Sequence, residues 1–299
     1  MKRQSTGTVL MVRPASFGFN PETAGSNVFQ RAELNPLTDE ILREFDAAVG
    51  CLRSNGIEVI VWDDSPAPLT PDAIFPNNWL GVHPGKKLAI YPMFAENRRA
   101  ERDPAIIELL TVKLPGYEFF DFSDFENENK MVEGTGSLVF DHLQKKAFAC
   151  RSVRTNEDLV NTIAGQLGYE AVIFDAADED GIPYYHTNVV VAIGTSFAIV
   201  CEESVAESQR ASLIRNLRYQ GREIIRIERR QLNSFAGNML ELRNDKGELL
   251  IILSETAFKS LNTAQIKKLG TAGRTVIVTI PLIEQTGGGS IRCMIAEIF

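Results

Sequence analysis

Three side chains in this sequence could together support nucleophilic catalysis: the thiol of Cys293, the imidazole of His186 and the carboxylate of Glu133. Each stands among small or polar residues. Cys293 ends the run Gly287-Gly288-Gly289-Ser290-Ile291-Arg292, His186 opens His186-Thr187-Asn188, and Glu133 opens Glu133-Gly134-Thr135-Gly136. A thiolate is the reactive form of cysteine, and an unperturbed thiol with a pKa of about 8.5 needs a neighbour to reach it at neutral pH. An imidazole moves protons in that range, and a carboxylate fixes its tautomer. Taken singly, each has an ordinary structural explanation: a buried core cysteine, a hydrogen-bonded core histidine, a turn carboxylate. His83 falls within a strand and His142 in a hairpin turn, so neither is as well placed for chemistry.

What joins the three is their position in a repeat. Strands are expected over 79–83 and 88–92, a helix over 98–112 and a strand over 118–122. The same order returns at 137–140, 146–150, 156–167 and 171–174, and again at 188–193, 197–201, 205–219 and 223–227. It returns a last time at 239–242, 249–253, 256–269 and 276–280. Hairpin, helix, strand therefore recurs at a period of roughly 50 to 58 residues, which points to an array or propeller. The first unit has a strand at 8–14, a helix at 38–55 and a strand at 57–62, but lacks half of its hairpin; the last residues, 291–299, read as a strand that could complete it. Five ββαβ units would then close as a five-fold pseudosymmetric α/β propeller, removing exposed sheet edges. The expected units are about 1–64 plus 286–299, 75–125, 133–178, 186–230 and 236–284, together forming one domain over 1–299. A two-domain α+β chain is the alternative. Residues 15–35 lack periodicity and read as a long loop of the kind that often serves binding.

Closure would bring the start of every hairpin to the axis: Phe75-Pro76-Asn77-Asn78, Glu133-Gly134-Thr135-Gly136, His186-Thr187-Asn188, Ala236-Gly237-Asn238 and the glycine run before Cys293. Thiol, imidazole and carboxylate would then face one another from distant parts of the chain. Composition narrows the partners. The 299 residues carry a net charge of −8, which disfavours nucleic acid. The four cysteines match no zinc spacing and suit a reducing cytoplasm, and no metal site is expected. The first residues do not form a signal-peptide pattern, and the apolar run 189–201 is interrupted and too short to span a bilayer, so no membrane association is expected. A homo-oligomer is compatible with the sequence.

These motifs resemble the guanidine-modifying enzymes of the pentein fold, which include arginine deiminase, dimethylarginine hydrolase and arginine:glycine amidinotransferase. The resemblance covers the whole chain and implies a ring of five ββαβ units. It implies that Cys293 is the nucleophile, that His186, opening an HxD-like motif, is the proton carrier, and that Glu133, opening an EGG-like motif, orients it. It also implies that Arg98 and Arg154 bind a substrate carboxylate; surface solvation and helix-start context are their rival readings.

Two positions depart from the pattern. Where the resemblance calls for guanidinium-pairing aspartates, this sequence has Asn78 and Asn188. An amide offers both a donor and an acceptor, which suits a neutral ureido group better than a cation. Together with the opening Met11-Val12-Arg13-Pro14-Ala15-Ser16-Phe17-Gly18-Phe19-Asn20-Pro21-Glu22-Thr23-Ala24, this looks like the citrulline-utilisation hydrolases, or citrulline ureidases. The expected function is cysteine-dependent hydrolysis of citrulline or a close analogue, a small amino-acid substrate, to ornithine, carbon dioxide and ammonia, without a cofactor. Asn78, Asn188 and Asn238 would line the substrate along with Arg98 and Arg154. The alternatives are a deiminase or amidinotransferase acting on a guanidino substrate and, more remotely, a non-catalytic pentein that only binds.

Overall fold

Runs rich in valine and isoleucine form the strands, and amphipathic segments between them form the helices. The structure, a computed structural model, describes residues 3–27, 29–31 and 38–299. In chain order the strands are β1 (Thr8–Arg13), β2 (Glu58–Asp63), β3 (Leu80–His83), β4 (Lys87–Ile90) and β5 (Glu118–Asp121). They continue as β6 (Val139–Asp141), β7 (Lys146–Cys150), β8 (Glu170–Phe174), β9 (Val191–Ile193) and β10 (Phe197–Val200). The last are β11 (Glu223–Arg226), β12 (Leu240–Arg243), β13 (Leu249–Ser254), β14 (Arg274–Val278) and β15 (Ala296–Ile298). Among the described residues they form five three-stranded sheets, β15-β1-β2, β3-β4-β5, β6-β7-β8, β9-β10-β11 and β12-β13-β14. In each sheet the middle strand pairs antiparallel with the first and parallel with the third.

The first sheet is completed from the far end of the chain. β15 runs antiparallel to β1, with Thr8 opposite Ile298 and Leu10 opposite Ala296. Sheets meet through their first strands: β15 lies beside β3, β6 beside β9, and β9 beside β12. The last and first units join where Arg243 N–H donates to Thr6 O at 2.8 Å and Asp245 N–H to Gly56 O at 3.0 Å. Gly7 permits that approach, since a Cβ there would lie 2.5 Å from Arg243 O. Burial runs outward from the axis. β3, β6 and β9 are wholly buried, whereas β5 is largely exposed. Between sheets and helices lies apolar core; helix Thr38–Ser54, for example, buries Ile41, Phe45, Ala48, Val49 and Leu52 along one face.

Several expectations change in detail. Residues 291–294 form a turn, so the last strand is confined to β15. The strand expected over 188–193 begins only at Val191, because residues 187–190 are helical, and Ser137 ends another helical turn, Gly134–Ser137. The helix expected over 98–112 is divided into Glu96–Arg99 and Pro104–Lys113, because Asp103 caps the second and Pro104 starts it. The helix expected over 256–269 is divided into Glu255–Ser260 and Thr263–Ala272, each with its own side-chain cap, Ser254 and Asn262. Within the loop expected over 15–35 is a helical turn, Pro21–Ala24, capped by Asn20. Position 28 and positions 32–35 of that loop lie outside the described residues.

Candidate active site

Three of the unit entrances, at 75–78, at His186 and at the glycine run before Cys293, open onto one cavity. It is lined by Cys293, His186, Asn78, Arg98 and Arg154, with Asp72, Tyr185 and the glycines Gly287–Gly289. Residues of the 20–31 segment, Thr23, Asn27 and Gln30, line it as well. Glycine is needed at two positions here. A Cβ on Gly287 would lie 2.8 Å from the rings of Phe17 and Phe75, and one on Gly136 would lie 2.7 Å from both Asn78 Nδ2 and His186 Nδ1. The first allows the glycine-rich loop before Cys293 to close over two aromatic rings, and the second allows two units to bring an amide and an imidazole together.

Cys293 follows a turn in which its N–H donates to Ser290 O at 2.9 Å, while Ser290 Oγ is pegged to Glu284 at 2.6 Å. Behind the cavity, His186 Nε2 lies 2.7 Å from Glu133 Oε2. Arg154 donates to that same oxygen at 3.4 Å, and Phe94 N–H to Glu133 Oε1 at 2.9 Å. Burial alone would push the Glu133 carboxyl up; the charge of Arg154, the His186 bond and the charge of Arg98 outweigh it and hold the group well below the usual carboxylate range. Burial pushes His186 down to about 4 in spite of Glu133. At neutral pH the pair is therefore carboxylate and neutral imidazole. Because the carboxylate accepts from Nε2–H, the lone pair is left on Nδ1, the nitrogen able to take a proton.

The arginines are buried and engaged. Arg98 forks onto Glu101 at 2.7 and 2.9 Å and donates to Asn78 Oδ1 at 2.8 Å. Arg154 donates to Thr23 O at 3.0 Å and to Ser26 Oγ at 2.6 Å, thereby holding residues 23–26. Asn188 and Asn238 do not line this cavity. Their amides reach the Cys293 sulfur, Asn238 Nδ2 at 3.3 Å and Asn188 Nδ2 at 3.6 Å.

One residue that sequence reasoning missed is Asp72. Its Oδ2 accepts from Asn20 at 2.7 Å and from Thr23 at 3.3 Å and lies 3.8 Å from Arg98, while its buried Oδ1 has no partner among the described residues. A signal existed: Asp72 is the only carboxylate between positions 72 and 95 and closely precedes the Phe75-Pro76-Asn77-Asn78 entrance.

A ring of five ββαβ sheets with these entrances defines the guanidine-modifying pentein superfamily. A model described as N,N-dimethylarginine dimethylhydrolase, eukaryotic, matches residues 13–299, and the chain belongs to that family. Solved structures agree on the fold. An arginine dihydrolase from the ornithine-ammonia cycle in cyanobacteria, ArgZ, superposes with a TM-score of 0.75 at 16% identity, covering 97% of this chain and 40% of that one. Unliganded AgrE gives 0.77 at 16% identity, covering 98% of this chain and 39% of that one. The chain thus spans about 40% of the length of these two relatives. A DDAH variant from Pseudomonas aeruginosa complexed with citrulline gives 0.69 at 13% identity, covering 98% of this chain and 100% of that one. No curated protein sequence matches the chain.

Proposed function

We propose that the chain is a cysteine-dependent hydrolase of citrulline or a close ureido amino acid, yielding ornithine, carbon dioxide and ammonia. The observation that carries the substrate assignment is the orientation of Asn78. Its Oδ1 accepts from Arg98 at 2.8 Å and its Nδ2 donates to Asn77 Oδ1 at 3.1 Å, leaving one amide hydrogen to offer. A guanidinium presents only donors, whereas a ureido carbonyl accepts. Asn78 so held suits the acceptor.

In this reading Cys293 Sγ attacks the ureido carbon while His186 Nδ1 takes the thiol proton. One C–N bond breaks, and its nitrogen leaves with the proton carried by His186. Water, deprotonated in turn by His186, attacks the thiocarbamate carbon, and the C–S bond breaks to return the thiol. The released carbamate gives carbon dioxide and the remaining amine. The balance is one citrulline and one water to ornithine, carbon dioxide and ammonia, whichever C–N bond breaks first. Glu133 holds the imidazole tautomer. The unpartnered Oδ1 of Asp72 would receive the α-ammonium, and Arg154 would exchange its contacts to Thr23 and Ser26 for the α-carboxylate. The whole chain would act as one catalytic domain. Among the described residues no helix is long and apolar enough to cross a membrane, and four unpaired cysteines suit a reducing cytoplasm.

The second reading is hydrolysis of a guanidino substrate such as arginine or dimethylarginine. It is favoured by the carboxylate of Asp72 in the cavity and by the family to which the chain belongs. Ammonia and ornithine release measured side by side with citrulline, arginine and dimethylarginine decides between them. Citrulline is expected to give the highest kcat/KM, and preference for either guanidino compound would sink the ureido assignment. Asn78→Asp, which removes the donor, is expected to lower citrulline kcat/KM by about 10-fold or more.

A further inference from the structure

Neither Asn188 nor Asn238 lines the substrate cavity, yet both reach the Cys293 sulfur. Asn188 instead lines a second cavity on the ring axis, with Gln4, His142, Glu241, Arg292 and Glu297. Local structure explains how Asn238 arrives. Its N–H donates to Phe235 O at 2.8 Å in a turn where Phe235 adopts a φ of +61°, a conformation unusual for a bulky side chain. Gly237 then lies against the neighbouring unit so closely that a Cβ would sit 1.9 Å from Val189 O. That contact places Asn238 Nδ2 at 3.3 Å from Asn188 O. Only the NH2 end of an amide can face a carbonyl, so the orientation of Asn238 is set, and its second hydrogen is free for the sulfur at 3.3 Å. On the same side chain, Oδ1 can accept from a protonated sulfur at 3.6 Å.

We propose that Asn238, backed by Asn188, is a positioning residue for the nucleophile: an uncharged amide cradle that orients the Cys293 thiol through Oδ1 and favours its thiolate through N–H donation. This rests on the reading of Cys293 as nucleophile and reassigns two amides from substrate to sulfur. Donors to an ionised acceptor are stronger than neutral pairs, and an amide adds no charge of its own. A carboxylate in either place would oppose the thiolate. Asp72, Arg98, Arg154, Tyr185 and His186 face the sulfur across the substrate cavity. Glu241, Arg292 and Glu297 lie on the axial side. Substitution at 238 leaves all of these in place, so a shift in thiol titration reports the cradle.

The test is the rate of Cys293 alkylation by iodoacetamide, followed by peptide mass spectrometry across pH, in wild type, Asn238→Ala and Asn238→Asp, with kcat and KM beside it. The half-maximal pH is expected to rise from Asn to Ala to Asp. The alkylation rate at pH 7 should fall about 10-fold in the alanine variant, the size of a lost hydrogen bond to a charged acceptor, and further in the aspartate variant. The fall should appear in kcat with KM little changed. The same half-maximal pH in all three proteins overturns the proposal. Should the alanine variant not fold, the isosteric Asn238→Asp and Asn188→Asp variants decide by the same midpoint, and an unmoved midpoint in both is equally fatal. Alkylation is independent of substrate identity. A shifted midpoint in a protein whose wild type ignores citrulline would remove the substrate reading and leave the cradle, and the reverse pattern would do the opposite.

Discussion

The three histidines of the chain are all buried, yet only one is paired with a carboxylate. His186 lies between a carboxylate and the cavity that holds Cys293. His83 and His142 instead meet phenols, Tyr91 at 2.5 Å and Tyr169 at 2.7 Å, and are walled by rings, with Phe140 4.7 Å from His83 and Phe299 4.5 Å from His142. Burial drives all three imidazoles toward the neutral form, His83 to about 3 and His186 to about 4. Neutrality is therefore shared and does not distinguish His186. The difference is the partner: a carboxylate sets the tautomer and balances a transient positive charge, whereas a tyrosine hydroxyl only satisfies a buried nitrogen.

The largest effect should come from breaking this contrast directly. His186→Ala is expected to lower kcat by about 10² to 10⁴-fold, the usual size of a lost proton-transfer group. His142→Ala should instead leave kcat near wild type while removing the 2.7 Å partner of the buried Tyr169 hydroxyl, which keeps only Lys145 at 3.5 Å, at a cost of about 1 kcal/mol of stability. A pair of variants with equal kcat losses would erase the distinction. Next in size is Glu133→Gln. It keeps the shape but removes the charge that Arg154 and His186 share, and kcat should drop by at least about tenfold through loss of the preferred tautomer. Unchanged kcat across pH would show that another group orients His186.

The smallest effect is on pH dependence. His186 is held below the usual 6.5, at about 4, so the acid limb of kcat/KM should fall near pH 4. Each depressed histidine takes up its proton later in the folded than in the unfolded state. As pH drops below 6.5 the unfolded chain binds more protons and stability declines, for His186 until about pH 4 and for His83 until about pH 3. His142→Gln should flatten part of this acid loss in urea melts between pH 6.5 and 4, without moving the acid limb of the rate. A shift of that limb in the His142 variant would mean that the two sites are coupled.

Much of this arrangement was legible because repeats record position. The recurring hairpin, helix and strand mark the entrances, and so set Cys293, His186 and Glu133 at equivalent places of the repeat. Glycine told less than it appears to: Gly136 and Gly237 are needed because another unit's atoms lie within van der Waals range, which no local pattern encodes. The helical turn at 187–190 was missed because its valines continue into a strand, and a run of valines reads the same way in both; the turn at 134–137, Gly-Thr-Gly-Ser, carries no periodic signal at all. The arginines were located at the cavity, but their engagement with Glu101, Thr23 and Ser26 was not foreseeable, since those partners come from capping and loop residues without periodic signal.

By itself the sequence determined the secondary-structure order, the five-fold repeat, the completion of the first sheet by the last residues, and three chemically matched side chains at equivalent places. These follow from hydrophobic periodicity and turn residues, which act over a few neighbouring positions. Tertiary structure alone decided which atoms meet. It brought Asp72 into the cavity with one oxygen unpartnered, turned Asn78 by tying its Oδ1 to Arg98, and set Asn238 against a sulfur 55 residues away. Such pairings are fixed by close packing between separate units, where a carbonyl, a guanidinium or a missing Cβ selects the side-chain orientation. No spacing along the chain carries that choice.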